Sequence, residues 1–446
     1  MTARGRLGSI YYLALGRFHR DARLILATSL VSGAAISLWW IDFNLYLQAL
    51  GLSTAEIGLI GTTGAVAGGL VAFPASAASD RFGRRTVFAG GIVAGLVALG
   101  VLLVAGTAVP LILVASALWS AGNNSVGVVV APFLAEHSEP EHRNELFAVQ
   151  FAVQNVTNVV AAILGAVVAT VIAAWVGLDP SGPGVYRVIL LIMALLLVAG
   201  LISIRFLADD RPHVAAGPQL LRMGEPAAFP PDPRRRGARF GITVRDRGRF
   251  ARILFPGFLI SLGAGQVIPF LNLFVHGKFG LDLAQLNAVF AVTALGTIAA
   301  ILVQPRLARR FGPITSVVIV QGASIPFLVV LGFSPILWLV VLAMTVRSSL
   351  MNAGNPIFSA FAMTHVDPAE RATVSAAMSV LWQLGWVLGG AFWTILQATI
   401  GFDGFTVNFV TIIGLYTTGT ALTWWWFHDT DRTSVRSGAG SLAAGR

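Results

Sequence analysis

Asp80-Arg81-Phe82-Gly83-Arg84-Arg85 fills the narrow gap between two long apolar stretches, and a degraded copy, Arg309-Arg310-Phe311-Gly312, fills another gap far downstream. Gly83 permits a tight turn there, and Asp80 at the end of the preceding helix can pair with a neighbouring Arg. The echo divides the chain into two halves.

Composition says where those halves reside. With 56% hydrophobic and 11% charged residues and a mean hydropathy of +0.78 over 446 positions, the apolar surface exceeds what a soluble fold can hide. The chain is expected to be an all-α polytopic membrane protein. Cysteine is absent, which excludes disulfides and thiolate metal sites. The net charge of +10 would suggest nucleic acid in a soluble chain. Here the charges cluster in the gaps between apolar runs, so nucleic acid is not an expected partner.

Twelve stretches are long enough to span a bilayer as helices: 24–49, 54–78, 86–106, 110–135, 145–174, 186–208, 251–276, 284–305, 314–333, 336–363, 373–399 and 405–427. Ser53 with Glu56 reads as a capping box, and Asp282 as the cap of the eighth helix. If the N-terminus is cytoplasmic, all but four of the 30 Lys and Arg fall on the inner side. The exceptions are Arg187 and Lys278 outside, Arg205 near an inner helix end, and Arg347 within the tenth span. The positive-inside bias therefore puts both termini in the cytoplasm. A signal peptide is the competing reading of the first 50 residues. No small-residue cleavage pattern follows, so the first helix is expected to remain in the mature protein.

The resulting organisation is a cytoplasmic tail (1–23), a six-helix bundle (24–208), a Pro- and Arg-rich cytoplasmic linker (209–250), a second six-helix bundle (251–428) and a cytoplasmic tail (429–446). At an offset of 228 positions, His137 to Arg143 aligns with His365 to Arg371, and Phe43-Asn44-Leu45 lies one residue out of register with Phe270-Leu271-Asn272. Repeated matches near one spacing argue for a duplicated six-helix unit, with substrate held between the copies near the bilayer midplane.

The chain is identified as similar to the major facilitator superfamily along nearly its whole length. The family's signature between helices 2 and 3 is matched by Ser76, Asp80, Arg81, Gly83, Arg84 and Arg85, with Ser76 where the family usually has Gly. The second copy lacks the Asp, as second copies in the family often do. The resemblance implies two pseudo-symmetric bundles, secondary transport by alternating access, a monomer and no cofactor. It also implies a cytoplasmic gate made by Asp80, Arg81, Gly83, Arg84 and Arg85 with Glu136 and Arg143, latched in the outward-open state. Apart from the resemblance, these Arg can reach helix ends of the opposite bundle or lipid phosphates, or serve topology alone.

Few charges lie deep in the spans. Asp42 is the one carboxylate well inside a span and is the candidate proton-coupling residue; the alternatives are a structural acceptor or a hydrated interfacial group. Arg347 either anchors an anionic group of the substrate or pairs with a helix end or carboxylate. On the fifth helix Gln150, Gln154, Thr157 and Asn158 share one face. The duplicated positions of 150, 154 and 158 are Met378, Trp382 and Trp386. One bundle would thus offer amides, extended by Asn123, Asn124 and Asn272, and the other an aromatic wall of Trp382, Trp386 and Trp393. Interhelical glue is the other reading of both faces.

Such a cavity suits a moderately sized amphipathic molecule. Enzyme readings lack support: no phosphate-binding loop, paired catalytic carboxylates or metal-spaced His cluster occurs. The leading expectation is a proton-coupled exporter of a small organic solute. Uptake of a sugar or organic anion comes next, and a non-transporting receptor or scaffold last. The partners expected are a small-molecule substrate, protons and membrane lipids. Scarce Lys beside abundant Arg, Ala and Gly points to a GC-rich bacterial genome and thus to the bacterial plasma membrane.

Overall fold

The computed structural model describes residues 18, 20–136, 143–179, 182–207, 246–301, 313–364, 366 and 371–443. Every regular element among them is helical: α1 (Arg20–Ala49), α2 (Thr54–Phe82), α3 (Arg84–Ala105), α4 (Val109–Glu136), α5 (Arg143–Val167), α6 (Pro183–Ile204), α7 (Arg247–Val267), α8 (Leu283–Ile301), α9 (Pro313–Phe333), α10 (Leu337–Thr364), α11 (Arg371–Ile400) and α12 (Gly404–Ala443). Among the described residues nine stretches are long and apolar enough to cross a membrane, the last of them, Ala377–His428, running through both α11 and α12. Leu283–Thr297 and Leu337–Asn352 are shorter apolar helices.

Local chemistry explains the helix starts. Ser53 Oγ accepts from the Glu56 N–H at 3.3 Å while the Ser53 N–H donates to Glu56 Oε2 at 2.8 Å, closing the capping box ahead of α2. Asp282 and Gln285 make the same reciprocal pair ahead of α8. Asp246 accepts from the Arg249 N–H at 2.9 Å, so α7 begins at Arg247, before the expected boundary at 251. At the far end α12 continues to Ala443, so most of the expected 429–446 tail is helix.

Two helices are interrupted where sequence periodicity predicts continuity. α5 passes through a π-helical turn, Val168–Ile172, before ending at Val176. α7 passes through a 3-10 turn, Ile268–Phe270, into a second segment, Leu271–Phe279.

In the first half α1 packs on α5 and α6, α2 and α3 pack on α4, and α3 on α6. Each pair recurs six helices later: α7 on α11 and α12, α8 and α9 on α10, and α9 on α12. The halves meet through α5 on α8 and α2 on α11, a pair of contacts that the same six-helix shift interchanges. The helix packing therefore has the two-fold pseudo-symmetry that the repeated loops announce.

Close crossings need small residues. A Cβ on Gly91 would stand 2.6 Å from the Gly122 carbonyl oxygen, so α3 and α4 touch backbone to backbone. The crossing of α7 with α11 is as tight: a Cβ on Gly265 would stand 2.7 Å from Trp386 Cα, and one on Gly389 would stand 2.5 Å from the Leu262 carbonyl oxygen.

Candidate functional site: a chamber between the halves, sealed at one end

The α1–α2 end of the molecule is shut. Asn44 on α1 donates to the Pro269 carbonyl at 2.7 Å, and Asn272 on the second segment of α7 donates to the Ile41 carbonyl at 2.7 Å. Each asparagine thus bonds the carbonyl three residues before the other, across the pseudo-two-fold axis. The 3-10 turn makes this possible. Asn272 Oδ1 accepts the Leu273 N–H at 2.9 Å, a donor that a regular helix would aim at the Pro269 carbonyl. Replacing both asparagines with Ala removes two net bonds of about 1 kcal/mol each, so opening at this end should rise by about tenfold or more. The native chain has no cysteine. A single Thr62→Cys reporter should then react correspondingly faster with a membrane-impermeant maleimide added from the α1–α2 side.

Asp42 lies between the two clasp residues of α1, Ile41 and Asn44, and is 3% exposed. Its Oδ1 accepts from Asn287 Nδ2 of α8 at 3.2 Å, and its Oδ2 has no partner among the described residues. Asn287 reaches it because residue 165 is glycine: a Cβ there would stand 2.5 Å from Asn287 Oδ1. The π turn of α5 begins just beyond that contact.

Further along α2 and α11, Trp393 is fully buried and stacked on Phe270 at 3.6 Å, with Gly58 of α2 against Trp393 and Gly61 against Phe270. It plugs the seam instead of forming the exposed aromatic wall expected of it.

On the other side of this seam the halves enclose space. Chambers of about 360, 570 and 470 Å³ are all lined by Asn124. The 470 and 570 Å³ chambers extend along the N-terminal parts of α7 and α11 and along α1 and α5, away from the α1–α2 loop, while the 360 Å³ chamber reaches the clasp, with Asn44 and Pro269 in its wall. Gln150, Gln154, Thr157 and Asn158 share one wall, as their helical spacing predicts. Trp382 and Trp386 of α11 face Asn123 and Asn124 of α4 in the 360 Å³ chamber.

Aromatic surface is not confined to the second half. Trp39 is stacked between Phe43 at 3.7 Å and Trp119 at 4.3 Å, and Trp40 meets Trp386 edge to face at 5.9 Å. All of these line the same chamber, as does Gln383. Sequence reasoning passed over Trp39, Trp40, Trp119 and Gln383. A Trp in an apolar helix carries no sign of which neighbour it faces, and Gln383 is hidden by the flanking Trp382.

Two residues expected in the cavity are seated elsewhere. Asn272 is 2% exposed and occupied by the clasp, and Arg347 is 6% exposed with its guanidinium donating to the Tyr416 hydroxyl at 2.7 Å. Neither lines these chambers, and Arg347 does not pair with Asp42. The same Tyr416 ring centroid lies 5.6 Å from the Arg347 guanidinium carbon, so one residue of its own half supplies both a hydroxyl and a π-face, while Arg347 Nε has no partner among the described residues.

At the opposite end Gly83 adopts φ +87°, the left-handed conformation that its turn requires. Arg85 donates to the Leu207 and Arg205 carbonyls at 2.9 and 3.2 Å, which caps the end of α6 in its own half. Arg84 is half-buried, and exposed Arg81 lies over the Phe82 ring. The side chains of Asp80, Glu136 and Arg143, the Arg309 to Gly312 copy and the 209–245 part of the linker lie outside the described residues.

A sequence profile described as Major Facilitator Superfamily matches residues 25–390. The chain belongs to the Major Facilitator Superfamily. Among solved structures, this facilitator matches the nucleoside transporter NupG (D323A mutant) with a TM-score of 0.70 at 14% identity, over 92% of this chain and 100% of that one. It matches a D-xylose-proton symporter with a TM-score of 0.70 at 12% identity, over 91% and 97%. A bacterial homologue of the iron transporter ferroportin matches at 12% identity with a TM-score of 0.67 in its inward-facing state, over 91% and 98%. Its outward-facing state, with soaked iron, gives a TM-score of 0.60 at 12% identity, over 92% and 99%. No curated protein matches the sequence. The facilitator is a multi-pass membrane transporter, not an enzyme.

Proposed function

We propose that the protein is a secondary transporter that exports a small amphipathic organic solute from the bacterial cytoplasm by alternating access, driven by proton entry through Asp42. In this reading twelve helices cross the plasma membrane as two six-helix bundles, with both termini and the linker cytoplasmic and the monomer as the working unit. The charge bias then makes the clasped α1–α2 end external and the hollow end cytoplasmic. The better match to the inward-facing ferroportin homologue supports that orientation of the cavity.

The observation that carries the coupling is the Asp42–Asn287 bond across the α1–α8 seam. Between them the two side chains leave two acceptor oxygens, Asp42 Oδ2 and Asn287 Oδ1, without a donor. A carboxylic acid and a primary amide can pair through two bonds, one donated by each; a carboxylate can only accept. Protonated Asp42 thus supplies the missing donor and favours the sealed external end. Proton loss leaves a buried charge whose cost on insertion scales is about 3 kcal/mol, which weakens the seal. The seam cycles with the proton, while the solute occupies the Asn- and Trp-lined chamber.

The test is flux into proteoliposomes under an imposed pH gradient. Antiport accumulates solute in the acidic compartment and symport in the alkaline one, so accumulation on the alkaline side rejects export. Gln154→Ala and Trp382→Ala, at matched reconstitution, should each weaken solute affinity about fivefold to tenfold through loss of a hydrogen bond or aromatic contact. Unchanged affinity in both would remove the chamber as the binding site.

A further inference from the structure

The chamber's lining is specific in what it lacks and in what it leaves unused. Among the described residues none that lines the three chambers carries a charge. Asp42 sits behind the Trp39–Phe43 stack, in a pocket of about 10 Å³ shared with Tyr46 and Tyr186, and Arg347, bonded to Tyr416, lines none of the three chambers. An ionised solute held between bundles at membrane depth needs a counter-charge or water to replace its hydration. This lining offers no counter-charge.

The lining does offer flat apolar surface and idle amides. Trp40 is 49% exposed although it lies between the halves, and Trp382 and Trp386 face it across the seam. Asn123 on α4 and Gln383 on α11 line the chamber with Trp40, and neither makes a side-chain hydrogen bond to the protein among the described residues. Asn124, by contrast, donates to the Ser120 carbonyl at 2.9 Å. A free primary amide presents a donor and an acceptor side by side. One such group from each half faces the same space, beside aromatic platforms that favour π-stacking.

Resting on the reading of this chamber as the transport site, we infer that the solute is an uncharged, planar aromatic compound with an amide-like donor–acceptor edge. It stacks against Trp40, Trp382 and Trp386, and its edge is read by Asn123 and Gln383 together. Because the two amides belong to different halves, such a solute bridges them. A charged analogue forfeits hydration with no ionic partner, and an aliphatic one forfeits the platforms.

Four small probes of similar size separate these properties: 2-quinolinone as the neutral planar lactam, N-methylquinolinium as the cation, quinoline-2-carboxylate as the anion and caprolactam as the neutral non-aromatic lactam. Isothermal titration of the full chain in nanodiscs should show 2-quinolinone binding at least about tenfold tighter than each of the others, the equivalent of one well-made hydrogen bond or stacking contact. Asn123→Ala and Gln383→Ala should each weaken 2-quinolinone about tenfold. The isosteric Gln383→Glu should weaken it similarly while improving the cation. If the anion or cation binds as tightly as 2-quinolinone, if 2-quinolinone does not bind, or if all three variants bind it unchanged, the inference is overturned. Flux of the same probes separates the two readings. Selective binding of 2-quinolinone without flux rejects transport and keeps the site chemistry, whereas flux of a charged probe keeps transport and rejects this solute class.

Discussion

Asp42→Asn is expected to abolish solute accumulation driven by a proton gradient while solute exchange at equal pH continues. Asparagine preserves the size of the side chain and can still bond Asn287 across the seam, now as a permanent neutral partner. The α1–α2 end therefore still closes, but closure no longer depends on pH and no proton is carried through the cycle. Gradient-driven accumulation in proteoliposomes should fall to the level of passive leak, a loss of about tenfold or more, given that the buried charge is worth about 3 kcal/mol on insertion scales. The pH dependence should flatten with it: wild-type turnover changes with external pH and the variant's does not. Full gradient-driven accumulation by the variant would reject Asp42 as the coupling group and leave it a structural acceptor.

Gly265→Leu is expected to have the largest effect on stability. Its missing side chain admits the backbone of α11: even a single Cβ would stand 2.7 Å from Trp386 Cα and 2.8 Å from the Trp386 carbonyl oxygen. Those atoms belong to the main chain of a helix, so no rotamer change relieves the clash, and α7 and α11 must separate along their crossing. Overpacking on this scale costs about 3 kcal/mol. The helices driven apart are α7, whose Leu254, Phe258 and Ile260 line the 470 Å³ chamber, and α11, which carries Trp382 and Trp386, so solute binding should weaken together with the midpoint of thermal unfolding in detergent. Gly257→Leu on the same helix is the control, because a Cβ there meets no atom within 4 Å. Equal melting of the two variants would mean that the crossing is not tight in the membrane.

The features legible in the sequence are those set by near neighbours. The Ser53–Glu56 box, the Asp282 cap and the tight turn at Gly83 depend on residues within one turn of each other, and each stands where the pattern puts it. The Gln150–Asn158 stripe was legible for a similar reason, since helical spacing alone decides which side chains share a face.

Illegible were the features decided by distant partners. Pro269 lies at the break in α7, yet Pro256 in the same helix and Pro326 in α9 cause none, so proline alone does not announce it. Arg347 looked like a cavity residue because its partner, Tyr416, lies on another helix 69 positions away. Trp39 and Trp40 are neighbours in sequence, but the first is packed in a ring stack at 9% exposure and the second juts into the chamber at 49%.

Asn44 and Asn272 stand 228 positions apart, the spacing that also relates the repeated loops, and their bonds to Pro269 and Ile41 exchange under the same operation. In an undoubled ancestor of six helices the two would be one asparagine, and the two bonds one contact made twice across the axis of a homodimer. Fusion of the copies would then have needed no new residue to close the α1–α2 end. The clasp would in this light descend from a subunit interface, retained after the subunits became one chain.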